Sequence, residues 1–233
     1  MGTEEKEAFA TLYEAYACLE PAGVDRWSPL HDDLEMWHRV RLLVEACRCL
    51  RLLPNPIESL RVLDVGCGVG RSSRLLVDLG VSPQNLLAID LRESAVLYAQ
   101  QRNPAIRFRY IADFSEWPTE RFDLVVQCTA FSSLPGLNVR KQTASLMERS
   151  IGAGGYILWW DLLWANPFAG GGMLDPTSLF PRFRLLRERR VSVYPDLSDS
   201  LRRLRRVGYW ISLGLPPLTH SPTHLIALMQ KTG

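Results

Sequence analysis

The stretch RVLDVGCGVG, residues 61–70, constrains the fold of this 233-residue chain more than any other segment. A short apolar run ends in three alternate glycines, Gly66, Gly68 and Gly70, which predicts a buried strand followed by a tight turn. Residues 71–79 carry leucines at helical spacing, so the turn joins the end of a strand to the start of a helix. Open α/β sheets bind nucleotides at such turns.

The residues around the turn favour one kind of nucleotide. A dinucleotide-binding fingerprint has a third glycine where this chain has Arg71, so the spacing is wrong for that class of ligand. Asp64 lies two residues before the first glycine, where a carboxylate would repel a pyrophosphate but suit a ligand with an ammonium and a sulfonium. We therefore expect a ligand that is cationic near the turn.

The pattern D-x-G-x-G-x-G, Asp64 to Gly70, resembles motif I of the class I S-adenosylmethionine-dependent methyltransferases. The resemblance implies that Asp64, Gly66, Gly68 and Gly70 bind S-adenosylmethionine. It also implies a Rossmann-like α/β fold, in which a seven-stranded, mostly parallel sheet has helices on both faces. The strand order expected from the family is 3-2-1-4-5-7-6, with strand 7 antiparallel.

Two further acids follow predicted strands. Asp90 ends the run LLAID, where its carboxylate can accept hydrogen bonds from both ribose hydroxyls, with Leu91 beside it. Alternatively, Asp90 caps the helix that follows. Asp113 closes the strand predicted over 106–112 and resembles the family residue that accepts from the adenine amino group, with Phe114 beside the ring. Alternatively, Asp113 is a loop acid.

The fourth predicted strand, 122–127, ends at Gln127. By resemblance, the backbone of Gln127 faces the methionine half of the cofactor. Catechol-type methyltransferases hold a divalent cation with acids near this strand, whereas this chain has Gln127-Cys128-Thr129, so we predict no metal. The chain also lacks the N-P-P-Y signature of amino-methylating nucleic-acid enzymes at this place, which weakens a nucleic-acid target.

The length predicts a single domain over residues 1–233, and the resemblance implies that it is a methyltransferase domain. Residues 1–56 are predicted to form a helical cap, and residues 57–162 the cofactor-binding core. The irregular stretch 163–182 is interpreted as a lid loop beside the acceptor, or alternatively as a flexible surface excursion. Residues 183–233 are predicted to supply the C-terminal strands and a helix.

Candidate catalytic residues are an acid and several histidines. Asp161 is predicted at the end of the fifth strand, either as a general base or as an anchor for the following loop. His224 is predicted at the start of the last strand, and His220 lies four residues earlier. Each is a candidate proton acceptor or acceptor-binding residue, as are His31 and His38 in the cap, and each is alternatively structural.

Tryptophans cluster around the fifth strand and in the cap. We interpret Trp37, Trp160 and Trp164 as either packing residues or the lining of an aromatic acceptor pocket. The segment WWDLLWANP resembles a pattern in bacterial small methyltransferases with long lids, often associated with glycan or secondary-metabolite pathways, and its Asn166 is a further candidate acceptor-binding residue.

Composition adds little about partners. The chain has 27 basic and 25 acidic residues, so its charge does not indicate nucleic acid or membrane binding. The arginines at 202–206 are interpreted as a solvated helix face rather than a phosphate or RNA site. Five cysteines without a C-x-x-C pair predict reduced thiols, and no apolar signal core or membrane-spanning run is found. We therefore expect a cytoplasmic location.

The sequence therefore predicts methyl transfer from S-adenosylmethionine to oxygen or nitrogen of a small-molecule acceptor. Two alternatives stay open at this point. One is a nicotinamide-dependent oxidoreductase on a similar sheet, which Arg71 and Asp64 disfavour. The other is a catalytically inactive cofactor-binding module that acts through a partner. The oligomeric state does not follow from the sequence.

Overall fold

A computed structural model describes residues 7, 9, 10, 33–165, 171–191 and 222–232, with the side chains of residues 33–37 excepted. Seven strands within these ranges form one sheet in the order β3-β2-β1-β4-β5-β7-β6. All neighbouring pairs are parallel except those of β7, which runs antiparallel to both β5 and β6. The strands are β1 (Val62–Val65), β2 (Leu86–Asp90), β3 (Arg107–Tyr110), β4 (Phe122–Cys128), β5 (Ile151–Leu162), β6 (Phe183–Val191) and β7 (His224–Lys231). The predicted fold class and strand order are confirmed.

Helices cover both faces of this sheet. The α-helices are α1 (Asp33–Leu50), α2 (Arg71–Asp78), α3 (Glu93–Arg102), α4 (Gly136–Ser150) and the short α5 (Pro176–Leu179). Buried residues of α1, α2 and α3 share one apolar core with one face of the sheet, and buried residues of α4 share the other core with the opposite face. Because both faces are covered, the central strands are buried and mostly apolar, as in β1, where all four residues are buried.

Helix α1 falls within the predicted cap but packs directly on the sheet. Leu42, Ala46, Cys49 and Leu50 lie in the first apolar core, together with residues of β5 and β7. Glu45 is also buried here, and its carboxylate lies 3.7 Å from Nε of Arg189 and 3.9 Å from Nη2 of Arg187 on β6. The C-terminal half of α1 is therefore part of the fold's core, and its N-terminal part projects towards the strand ends.

One boundary that the sequence pattern predicts near β5 is wrong. The glycine-rich stretch 152–155 predicts the exit turn of the preceding helix, but β5 begins at Ile151 and includes these glycines. Gly155 has a physical reason for lacking a side chain, because a Cβ there would lie 2.9 Å from the carbonyl oxygen of Asp123. In the C-terminal region β6 covers Phe183–Val191, and the strand that VSVY (191–194) predicts lies outside the described residues after its first residue.

The predicted lid loop is only partly irregular. Trp164 and Met173 form an antiparallel bridge, and the Asp175 side chain caps α5 by accepting from the Thr177 amide. Phe180 is buried against Trp159 at a ring-centroid distance of 6.3 Å. Residues 171–182 therefore belong to the folded body rather than to a free loop.

Several predicted elements lie outside the described residues. These include nearly all of the predicted cap before residue 33 and residues 192–221 of the C-terminal region. In the part of the chain that is described, no helix has the length and apolar character needed to cross a membrane.

Candidate cofactor and acceptor site

A cavity of about 760 Å³ lies at the carboxyl ends of the central strands. This is where open α/β sheets bind their ligands, and the volume is within the range of about 300–1,000 Å³ typical of small-molecule sites. The glycine turn, the ends of β2 and β4, and the N-terminal part of α1 all contribute to its wall. Six predicted site residues line it: His38, Gly66, Gly68, Asp90, Leu91 and Phe114.

The glycine turn lies close to the segment that follows β4. Gly66 has a φ of +71°, and a Cβ at this position would lie 2.6 Å from the Cβ of Ala130. Its amide donates to the carbonyl oxygen of Ile89 at 2.9 Å, which ties the turn to β2. Glycine is therefore required here by both backbone conformation and space.

Asp90 joins β2 to the glycine turn. Its Oδ2 accepts a 2.7 Å hydrogen bond from the Gly68 amide, and its Oδ1 accepts from the Arg92 amide at 2.8 Å. The side chain lines the cavity, so the carboxylate is held at the place where the ribose of a nucleoside was predicted. Both predicted roles of Asp90, as a ligand of the ribose and as a local cap, are compatible with this geometry.

Asp64 is completely buried beneath the turn. Its Oδ2 accepts from the hydroxyls of Ser72 and Ser73 at 2.7 and 2.6 Å, and its Oδ1 has no hydrogen-bond partner. Burial raises the pKa of Asp64 to about 6, with a smaller contribution from Asp90 and against the lowering effect of both serines. Asp64 lies behind the described wall of the cavity rather than in it.

The β3 end contributes apolar surface. Phe114 lines the cavity with Ile111 and Trp117, and its ring meets Trp117 edge-on at 6.2 Å. Asp113 is the cap of the short helix that follows, and its Oδ1 accepts from the amide and hydroxyl of Ser115. Among the described wall residues Phe114 is present and Asp113 is not, so the structure brings only the ring to the site.

At the end of β4 the wall is formed by the residues after Gln127. Gln127 is fully buried, and its side-chain oxygen accepts from the Ala130 amide at 3.1 Å. Cys128, Thr129 and Ala130 line the cavity instead. Thr129 has a φ of +56°, a conformation that costs a non-glycine residue roughly 1–2 kcal/mol, and its amide donates to Trp160 at 2.7 Å. The contact between the Gln127 backbone and the methionine half of the cofactor stays a prediction, and the described wall begins one residue later, at Cys128.

These residues fit a nucleoside with a cationic amino-acid tail. Asp90 is an acceptor for hydroxyl donors, Phe114 and Ile111 supply an apolar wall for a base, and the buried Oδ1 of Asp64 lacks a partner behind the turn. Residues 62–155 match the family described as a methyltransferase domain. Residues 62–155 form a class I S-adenosylmethionine-dependent methyltransferase domain. S-adenosylmethionine is accordingly its cofactor.

The similar proteins cover most of this methyltransferase chain. A curated malonyl-[acyl-carrier protein] O-methyltransferase from Pectobacterium atrosepticum is 27% identical over 207 residues, which cover 78% of this chain and 77% of that protein.

Two solved structures have the same fold. N-methyltransferase NodS from Bradyrhizobium japonicum WM9, in complex with S-adenosylhomocysteine, is 18% identical with a TM-score of 0.61, covering 97% of this chain and 99% of that one. TehB from Haemophilus influenzae is 17% identical with a TM-score of 0.54, covering 82% of this chain. The methyltransferase chain spans only 61% of the length of TehB.

Asp161 is buried on the face opposite α1. Its Oδ2 accepts from the Phe131 and Ser132 amides at 2.9 and 3.3 Å, and its Oδ1 accepts from the Leu162 amide at 2.8 Å. Burial raises the pKa of Asp161 to about 6 against the lowering effect of these hydrogen bonds. The geometry favours the anchor alternative, because the carboxylate fastens the segment after β4 and is absent from the described cavity wall.

His224 and Trp160 lie together beneath the N-terminal part of α1. The two rings stack with centroids 5.4 Å apart, and His224 Nδ1 lies 2.8 Å from the Thr223 hydroxyl. Burial lowers the pKa of His224 well below its ordinary 6.5, and nearby His38 lowers it further. Trp160 donates through Nε1 to Nε2 of His38 at 2.8 Å, and His38 lines the cavity.

The other predicted acceptor residues are placed differently. Trp164 lies on the far side of β5's end, half exposed, outside the described cavity wall. Trp37 belongs to α1, but its side chain is outside the described residues, as are Asn166, His220 and His31. Phe9 lines the cavity and had no signal in the sequence, since nothing in its local pattern relates it to the strand ends.

Proposed function

We propose that this methyltransferase transfers the methyl group of S-adenosylmethionine to oxygen or nitrogen of a small-molecule acceptor. The observation that carries the proposal is the extent of the cavity. Its wall runs from Asp90 and Phe114 at the β2 and β3 ends, past Thr129 at the β4 end, to His38 on α1. The wall is longer than the nucleoside half of the cofactor needs. The remaining part supports an acceptor next to β4 and α1.

The chain's own residues have two tasks in this reaction. When bound, S-adenosylmethionine supplies an electrophilic methyl group. Asp90 and the glycine turn hold the nucleoside, and the walls at Thr129 and α1 orient the acceptor and exclude water. Such positioning alone can supply about 7–11 kcal/mol of the barrier reduction. When the acceptor nucleophile binds in its unprotonated form, the reaction needs no general base from the protein.

The names of the similar proteins include both oxygen and nitrogen as the methylated atom. The curated relative is named as an O-methyltransferase and NodS as an N-methyltransferase, so either atom is open for this chain. The secondary-metabolite or glycan pathway, the cytoplasmic location and the exclusion of nucleic acid stay predictions.

The test is methyl transfer from radiolabelled S-adenosylmethionine to a panel of carboxylic acids, phenols and primary amines of small size. We expect turnover on at least one oxygen or nitrogen class, abolished by Asp90→Ala. Tight binding of S-adenosylhomocysteine with no turnover on any class would favour the inactive-module alternative. The nicotinamide alternative predicts NADH binding, which fluorescence titration detects.

A further inference from the structure

Three side chains from three elements meet at the edge of the cavity: His38 of α1, Trp160 of β5 and His224 of β7. We call them the indole–imidazole cluster. Trp160 donates a 2.8 Å hydrogen bond to His38, and the His38 and His224 ring centroids are 5.0 Å apart. Trp160 and His224 are buried, whereas His38 is partly exposed and lines the cavity. His38 is therefore the member of the cluster that meets a ligand.

The cluster lies at the opposite end of the site from the nucleoside-binding acid. In the sheet order β2-β1-β4-β5, two strands separate Asp90 at the end of β2 from Trp160 near the end of β5. The Thr129 amide at the end of β4 donates to the Trp160 carbonyl at 2.7 Å, which ties the cluster to the cavity wall. A ligand that extends from Asp90 past β4 therefore approaches His38 with its other end.

The hydrogen bond from Trp160 also determines the form of the imidazole. An indole N–H can only donate, so Nε2 of His38 must carry a lone pair. A neutral ring in this arrangement has its proton on Nδ1, and protonating Nε2 would set two N–H donors against each other. His224 is the titratable group of β7 that contacts this ring, and it is held neutral by burial.

We propose that His38 contacts the methyl acceptor beside the methyl group to be transferred, and that Trp160 is a positioning residue that fixes the His38 ring in its neutral form. This inference rests on the proposed function. It assigns Trp160, which was considered for direct acceptor binding, an indirect role through His38. It also excludes His38 as a general base through Nε2, because the lone pair of that atom accepts the hydrogen bond from Trp160.

The first test needs no acceptor. Long-range ¹H–¹⁵N correlation spectra of the full chain with labelled histidine report the tautomer of each of its four imidazoles, with His38→Gln for assignment. We expect a neutral His38 ring with the proton on Nδ1, as the hydrogen bond from Trp160 requires. Exchange of S-adenosylhomocysteine for S-adenosylmethionine adds only a methyl group and a positive charge, and should shift the His38 signals more than those of the other histidines. A His38 signal insensitive to this exchange would overturn the proposal.

The second test compares two adjacent tryptophans. Trp159 and Trp160 are both buried, but the Trp159 indole N–H has no hydrogen-bond partner. Trp160→Phe should remove the Nδ1–H tautomer preference of the His38 ring and should raise KM for the best acceptor of the panel at least about tenfold, with S-adenosylhomocysteine affinity within about twofold. Trp159→Phe should change neither property. Equal behaviour of the two variants would refute the positioning role.

The two proposals fail in different ways. If no acceptor of the panel is methylated, the proposed function fails, while the response of His38 to the cofactor exchange still reports its position. If methyl transfer occurs but His38→Ala leaves KM for the acceptor unchanged, the proposed function stands and the role of His38 is wrong.

Discussion

The backbone amide of Gly68 donates a 2.7 Å hydrogen bond to Oδ2 of Asp90. This bond joins the turn after β1 to the end of β2, and both residues line the same cavity. The acid predicted to bind the ribose therefore also shapes the turn that receives the rest of the cofactor.

We expect Asp90→Ala to weaken S-adenosylhomocysteine binding at least about 100-fold, because two hydrogen bonds to a charged group contribute roughly 1.5–3 kcal/mol each. Calorimetric titration measures this loss. Asp113→Ala is the matched control, since Asp113 also follows a strand but caps a short helix through Ser115. An unchanged affinity in Asp90→Ala would contradict the placement of the ribose at β2.

Gly66→Ala should lower the free energy of unfolding by at least about 2 kcal/mol, because it adds both a strained φ and a Cβ contact with Ala130. Gly154→Ala is a close control, with the same φ of +71° but no atom within 4 Å of the added Cβ. Urea unfolding of both variants separates the two effects. Equal losses would mean that the close approach between the turn and Ala130 is unimportant.

Asp64→Asn should raise the free energy of unfolding at pH 7. Burial raises the pKa of Asp64 from 3.8 to about 6, so the folded state binds the proton more tightly than the unfolded state does. The stabilisation that comes from this tighter proton binding is complete below pH 3.8 and is lost as the pH rises to about 6. The loss lowers the free energy of unfolding by at most about 3 kcal/mol.

Asparagine removes this loss, because its oxygen can still accept from Ser72 and Ser73. Urea unfolding between pH 4 and 7 should therefore show a flatter profile for Asp64→Asn than for the natural chain. A variant that is less stable at pH 7 would show that the charge of Asp64 is satisfied in the folded protein. S-adenosylhomocysteine affinity, measured in parallel, tests the predicted contact with the cofactor's ammonium.

Asp161→Ala should lower the free energy of unfolding by about 3 kcal/mol or more, since three buried amides lose their acceptor. Asp123→Ala offers a contrast, because the Asp123 carboxylate accepts from one exposed amide, that of Arg61, and should cost less than about 1 kcal/mol. If Asp161→Ala keeps its stability but loses methyl transfer, the base alternative is correct.

The sequence by itself was sufficient for β1, β2, the glycine turn and the acid at residue 90. These features are local: an apolar run, alternate glycines and a strand-end carboxylate are adjacent in the chain, and the physics that places them acts over a few residues. Knowledge of the family added the strand order, which local patterns do not contain.

Only the tertiary structure decided what surrounds the acceptor end of the site. Trp160 and His38 are 122 residues apart, and Asp161 meets the Phe131 amide across 30 residues. Such contacts depend on which face of β5 each side chain takes and on how α1 lies over the sheet. A tryptophan and an aspartate that are adjacent in a strand point to opposite faces of the sheet, so their partners differ. A run of apolar residues in the sequence does not indicate which of the two faces each side chain takes.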